Sequence, residues 1–190
     1  MTEQEQISVF DMFKVGIGPS SSHTLGPWRA AQRFLEYLER QAGLAAVKQV
    51  RIQLYGSLAK TGKGHGTDIA LQLGLLGADP VTFDVNAVEP TIARIRTEKT
   101  LQLGGKVNIP FDPDTDLVFR MSESLPFHPN ALTAEASLHD GRNLQATYYS
   151  VGGGFVVTEG ESENNNSGKA AFRYPVHSAK DVLQVCESTG

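Results

Sequence analysis

Residues 131–151 constrain the fold more than any other stretch. Leu132, Ala134, Ala136 and Leu138 alternate with Thr133, Glu135 and Ser137, Asp140-Gly141 follows, and Leu144 to Val151 returns. A period of two turns one face of a strand toward a core, and Asp-Gly is a strong hairpin turn. A chain with this hairpin needs an antiparallel sheet and something to cover its apolar face. Val50, Ile52 and Leu54, alternating with Arg51 and Gln53, supply a further half-buried strand. Shorter strand candidates lie at 106–111 and 117–121, separated by Asp112-Pro113-Asp114.

Helical patterns supply the cover. After Pro27, the residues Ala31, Phe34, Leu35, Leu38 and Ala42 make one apolar stripe, with Arg29, Gln32, Arg33, Glu36 and Arg40 facing away and Gly43 as the stop. Ile69, Ala70, Leu73 and Leu76 mark a second helix that Gly77 ends, and Glu89-Pro90 opens a third, expected to run to Gly104-Gly105. The predicted fold is α+β. A mostly antiparallel sheet, with strands near 47–55, 106–111, 117–121, 131–139 and 143–151, is covered by helices near 27–42, 67–76 and 90–103.

Composition narrows the partners. With 40% apolar residues among 190, the chain can bury a core of its own. A net charge of −4 argues against nucleic acid or an anionic membrane as the main partner, and no apolar run approaches the ~20 residues that span a bilayer. The polar, acidic start is unlike a secretory signal, so the expected compartment is the cytoplasm, and the sequon Asn165-Asn166-Ser167 carries no weight. One cysteine, Cys186, excludes an internal disulfide framework and a self-contained zinc or iron–sulfur site; it is expected to pack as a small apolar residue.

At the ends the expectations are these. Ser8 to Phe13 reads as a short helical turn. After Val157, Thr158 to Lys169 is acidic and rich in Asn, Ser and Gly, a linker signature. Val182, Leu183 and Val185 begin a fresh helical pattern that the chain leaves unfinished. The chain is therefore read as a domain over 1–157, a polar linker over 158–171 and the start of a second domain over 172–190.

Two segments carry candidate chemistry. Gly16 to Pro27 packs Ser20, Ser21, Ser22, His23 and Thr24 into five consecutive positions just before the first helix. Hydroxyls and free amides at a helix start suit an anionic group such as a carboxylate, and an imidazole moves protons near neutral pH. The same letters also fit a capped serine-rich loop with a surface histidine. The second segment, Gly62 to Asp68, presents Lys63, Gly64, His65, Thr67 and Asp68 ahead of another helix. It is not a nucleotide P-loop. Five residues rather than four separate Gly56 from Gly62-Lys63, and Gly64 stands where a magnesium-binding Ser or Thr is required. His128-Pro129-Asn130 fits a third polar contributor or a structural turn. Gly152-Gly153-Gly154 fits a close backbone approach, a ligand or a bend, while His139 and His177 are expected to face solvent.

Together Phe13 to Thr24, Tyr55-Gly56-Ser57 through Gly62-Lys63-Gly64-His65-Gly66-Thr67-Asp68, His128-Pro129-Asn130 and Tyr148 to Gly154 resemble the beta domain of bacterial iron–sulfur L-serine dehydratases. The resemblance runs from Val9 to Val157 and across the linker. It implies deamination of L-serine to pyruvate and ammonia, a step of amino-acid degradation, by a cytoplasmic homodimer. It also implies a [4Fe–4S] cluster whose three cysteine ligands lie in an alpha domain, so that this chain holds no metal and is inactive alone. His23 and His65 become the catalytic residues, and Ser20, Ser21, Ser22, Thr24, Lys63 and Gly64 bind substrate. The same resemblance extends to the allosteric substrate-binding domain of certain phosphoglycerate dehydrogenases, which leaves a serine-binding regulatory module as the alternative. The two imidazole-bearing segments are expected to open onto one cleft, with the rings within roughly 10 Å, a span that a small substrate and its flanking groups would fill.

Overall fold

The computed structural model describes residues 16–160 and 179–189. Among them, β1 (Val47–Tyr55), β4 (Leu117–Arg120), β5 (Asn130–Leu138), β6 (Asn143–Gly152) and β7 (Phe155–Thr158) form one sheet in the order β4-β1-β5-β6-β7. Only the β1–β4 pairing is parallel, so the sheet is mixed but mostly antiparallel, an α+β arrangement as predicted. Register follows the hydrophobic pattern. Ile52 lies between Ala134 and Leu117, and all three are buried on one face. The β5–β6 connection spans residues 139–142 with Asp140-Gly141 at its centre, where Gly141 takes φ 88° and Asp140 accepts from the Arg142 amide.

Helix α1 (Gly26–Gln41) lies across the apolar face against β6 and β7, and buries Trp28, Ala31, Phe34 and Leu38. Burying a side chain of this size is worth about 1.5–3 kcal/mol, which explains why the stripe and not local propensity fixes the helix. Helix α2 (Gly56–Thr61) follows β1, and α3 (Thr67–Leu75) packs against α1 and sends Leu71 and Leu75 into the main core. Gly74 makes that approach possible, since a Cβ there would sit 2.5 Å from the Trp28 carbonyl oxygen. Helix α4 (Val88–Glu98), the short α5 (Pro113–Asp116) and α6 (Ala179–Thr189) complete the set.

Three expectations are corrected. The third helix stops at Glu98 and not at Gly104-Gly105. Lys99 turns left-handed with φ 51°, held by an ion pair of 2.7 Å to Asp112, and Thr100–Leu103 becomes strand β2. Leu101 and Leu103 alternate with polar neighbours and pair with Ile109 and Val107 of β3 (Val107–Pro110), so the two glycines turn a hairpin. The stretch from Gly56 to His65 is helical rather than a glycine loop: α2 runs into a 3-10 turn, with left-handed backbone at its two ends, Gly56 at φ 53° and Gly66 at φ 67° before α3. Cys186 is exposed on α6, not packed. The strand β7 carries pairing to Thr158, the first residue of the expected linker. The turn over 8–13, the linker from residue 161 on and His177 lie outside the described residues.

Candidate functional site

The serine run folds as a single π-turn, Ser21–Leu25, that feeds directly into α1. Ser20 sits at its start in extended conformation, and its Oγ accepts from the His23 amide at 3.1 Å. Its carbonyl accepts from the Thr24 and Leu25 amides. This wide turn, of a kind found often at functional sites, turns the His23 side chain toward α2. A second anchor comes from far along the chain. Ser150 of β6, buried, donates from Oγ to the Ser22 carbonyl at 2.8 Å, and Asn130 donates to the Ser150 carbonyl at 3.3 Å. Gly26 must lack a side chain, because a Cβ there would collide with Ser150. Upstream, the Ile17 amide donates to the Pro80 carbonyl, and residues 16–21 with Leu25 line a cleft of about 220 Å³.

His65 ends the 3-10 turn after α2 (Gly62–His65). The His23 and His65 rings lie 4.9 Å apart, centroid to centroid, tilted by 38°. Two backbone contacts join the segments reciprocally. The Thr24 hydroxyl donates to the His65 carbonyl at 2.8 Å, and the Thr67 hydroxyl donates to the His23 carbonyl. Both threonines are buried, so each hydroxyl has its partner with little competition from water.

The ring nitrogens are differently placed. His65 Nδ1 lies 2.9 Å from the Thr61 carbonyl. A carbonyl only accepts, so Nδ1 carries the proton and the neutral ring presents a free lone pair at Nε2. His23 has Ser22 Oγ at 2.9 Å on Nδ1 and Ser57 Oγ at 2.9 Å on Nε2. Hydroxyls both donate and accept, which satisfies the neutral imidazole in either tautomer. Burial, and next the neighbouring His65, hold the His23 imidazole below its ordinary value, so it is neutral at physiological pH.

The other residues singled out in the sequence are placed as follows. Ser20 bonds the His23 amide, Ser22 the His23 ring and Thr24 the His65 carbonyl, while Ser21 is exposed and lines the 220 Å³ cleft. Thr24 is buried with its hydroxyl held by His65, a bracing position. Lys63 and Gly64 are exposed on the turn that carries His65; the Lys63 ammonium lies 5.2 Å from the Phe119 ring centre. His128 accepts from the Asn130 amide and shapes a turn. The triple glycine makes a left-handed turn whose Gly154 carbonyl accepts from Arg29, and His139 is exposed. Sequence reasoning did not single out Ser57, Thr61 or Ser150, and it took Thr67 only as part of a helix start. Ser57 and Ser150 each stood inside a stretch that carries the family resemblance, Ser57 beside a strand end and Ser150 within Tyr148 to Gly154, but neither had a signal of its own. Among the described residues no group of three or more His, Cys, Asp and Glu gathers to hold a metal. A donor set of imidazoles and hydroxyls with one exposed cysteine does not build the [4Fe–4S] cluster that the resemblance implies.

Residues 8–161 match the family model described as serine dehydratase beta chain. The chain belongs to the serine dehydratase beta chain family. An L-serine dehydratase of Mycobacterium tuberculosis is 43% identical to it over 182 residues, 95% of this chain and 39% of that protein. One of Streptomyces coelicolor is 42% identical over 97% of this chain and 41% of its own length. L-serine dehydratase 1 of Escherichia coli is 40% identical over 97% and 40%. This beta chain thus spans about two fifths of the relatives it matches. No described helix is long and apolar enough to cross a membrane.

Proposed function

We propose that this chain is the beta-domain part of an L-serine ammonia-lyase and donates the proton-moving and carboxylate-binding groups of an active site completed by an alpha domain. The observation that carries the reading is the contact of two imidazoles, 4.9 Å between centroids, inside a shell of hydroxyls. In this proposal 1–157 is the beta domain, 158–171 the linker and 172–190 the start of the alpha domain, which in full would carry the three thiolate ligands of the [4Fe–4S] cluster. The residues of this chain bind, orient and move protons.

Deamination of serine begins with loss of a proton from Cα. His65 suits the base: its Nε2 lone pair is free because Nδ1–H is tied to the Thr61 carbonyl. As Nε2 takes the proton, the ring becomes an imidazolium and Nδ1–H to the carbonyl strengthens. His23, neutral beside it, adds no opposing charge. Ser20 and Ser21, which line the cleft, take the substrate carboxylate in this reading, with Ser22 tied instead to His23 Nδ1. The β-hydroxyl leaves with its bonding pair, for which the cluster of the alpha domain would supply a Lewis acid, and the aminoacrylate left hydrolyses to pyruvate and ammonia without further help.

In the full-length enzyme, His65→Ala and His23→Ala should each lower turnover of L-serine by about 10²–10⁴, the usual contribution of proton transfer by a positioned side chain. Pyruvate formation measures this directly. Less than a tenfold loss in both variants would remove the pair from the chemistry.

A further inference from the structure

We propose that Ser57 is a positioning residue for the imidazole pair, and that α2 is the spacer that sets the distance between the two rings. The proposal rests on the reading of that pair as the proton-moving groups.

Both imidazoles touch the same one-and-a-half turns of helix. At its start, Ser57 Oγ lies 2.9 Å from His23 Nε2; at its end, the Thr61 carbonyl lies 2.9 Å from His65 Nδ1. The Thr61 hydroxyl closes back on the Ser57 carbonyl at 2.9 Å, which ties the two contact points together. Among the described residues two side chains reach the His23 ring nitrogens, Ser22 and Ser57. Ser22 is its sequence neighbour and moves with it, whereas Ser57 belongs to a different segment and fixes the ring in space.

Ser57 is itself held from both sides. Its amide donates to the Pro129 carbonyl at 2.9 Å, and the preceding Gly56 amide donates to the Glu123 carbonyl at 2.8 Å. Gly56 takes φ 53°, and a Cβ there would run into the Pro129 carbonyl, so the helix start has one available path. A hydroxyl on so constrained a backbone has only its own rotation left to adapt. It therefore follows the protonation of His23, as donor or acceptor, without moving the ring.

The test uses the full-length enzyme with Ser57→Ala, Ser57→Cys and Ser57→Thr. Ser57→Ala should lower kcat about 10- to 100-fold, the range expected for a small misplacement of reacting groups. KM should change by less than about threefold, because the lost interaction concerns the transition state and not substrate binding. Ser57→Cys preserves shape with a weaker hydrogen bond and should fall between Ala and wild type, which keeps the test open if the Ala variant folds poorly. Ser57→Thr, which keeps the hydroxyl, should recover most of the rate. Independently of turnover, the rate at which diethyl pyrocarbonate modifies His23, followed by peptide mass spectrometry with exposed His139 as internal reference, should rise several-fold in Ser57→Ala, since Nε2 is bared. Unchanged His23 labelling in Ser57→Ala would overturn the contact itself. Faster labelling with undiminished kcat would overturn the positioning role, whereas the proton-transfer reading fails separately, if His23→Ala and His65→Ala keep nearly wild-type turnover. A loss of rate that Ser57→Thr does not recover would also sink it.

Discussion

At the residue scale, His23 is the informative group. Burial first and His65 second keep its imidazole below the ordinary value of 6.5. The unfolded chain therefore binds a proton there at a pH where the folded protein does not. Stability is fully present above 6.5 and declines as pH falls through that value toward the folded one. Replacing His65 with Gln removes the second cause alone. In an NMR titration of the ring protons, His65→Gln should move the His23 midpoint upward, toward but not as far as its ordinary value, because burial remains. A midpoint that stays put or falls would mean that the two rings do not sense each other's charge. The threonine hydroxyls act differently: Thr67→Val keeps shape but takes the donor of the buried Thr67 away from the His23 carbonyl, at a cost of about 1–3 kcal/mol. Denaturant midpoints would register that loss.

At the scale of elements, close contact between helices decides the fold. With Gly74 packed on the Trp28 carbonyl, Gly74→Ala should push α3 off α1 and destabilise the chain by about 1–3 kcal/mol, the usual penalty for overpacking. A thermal melt at the wild-type midpoint would sink this account. The helices α1 and α3 and the strands β1, β5 and β6 were legible in the sequence because their periodicities of 3.6 and 2 extend over many residues. The end of α4 was not. Leu101 and Leu103 continue the apolar content of the helix before them, and only their pairing with β3 makes them a strand. The helix α2 was missed for the opposite reason: six residues are too few to show a period, and glycines on either side argued for a loop. The two histidine segments could be named from their letters. The hydroxyls that hold them could not, because Ser57 and Ser150 reach His23 and Ser22 across 34 and 128 positions.

At the scale of the whole molecule, the proposed function makes the site one part of a composite. The chain covers 39–41% of the relatives' length, and its own donor set is imidazole and hydroxyl. A polypeptide limited to these 190 residues should form no pyruvate from L-serine, and addition of an alpha-domain polypeptide carrying the cluster should restore turnover. Turnover by the isolated chain would end the composite-site reading. The crossed threonine contacts, Thr24 to His65 and Thr67 to His23, have one further consequence. Each histidine is tethered to the segment of the other, so neither can be lent to a foreign scaffold by itself. An engineer transplanting this pair would have to lift out both stretches of chain with the strand beneath them, and natural recombination faces the same indivisible block.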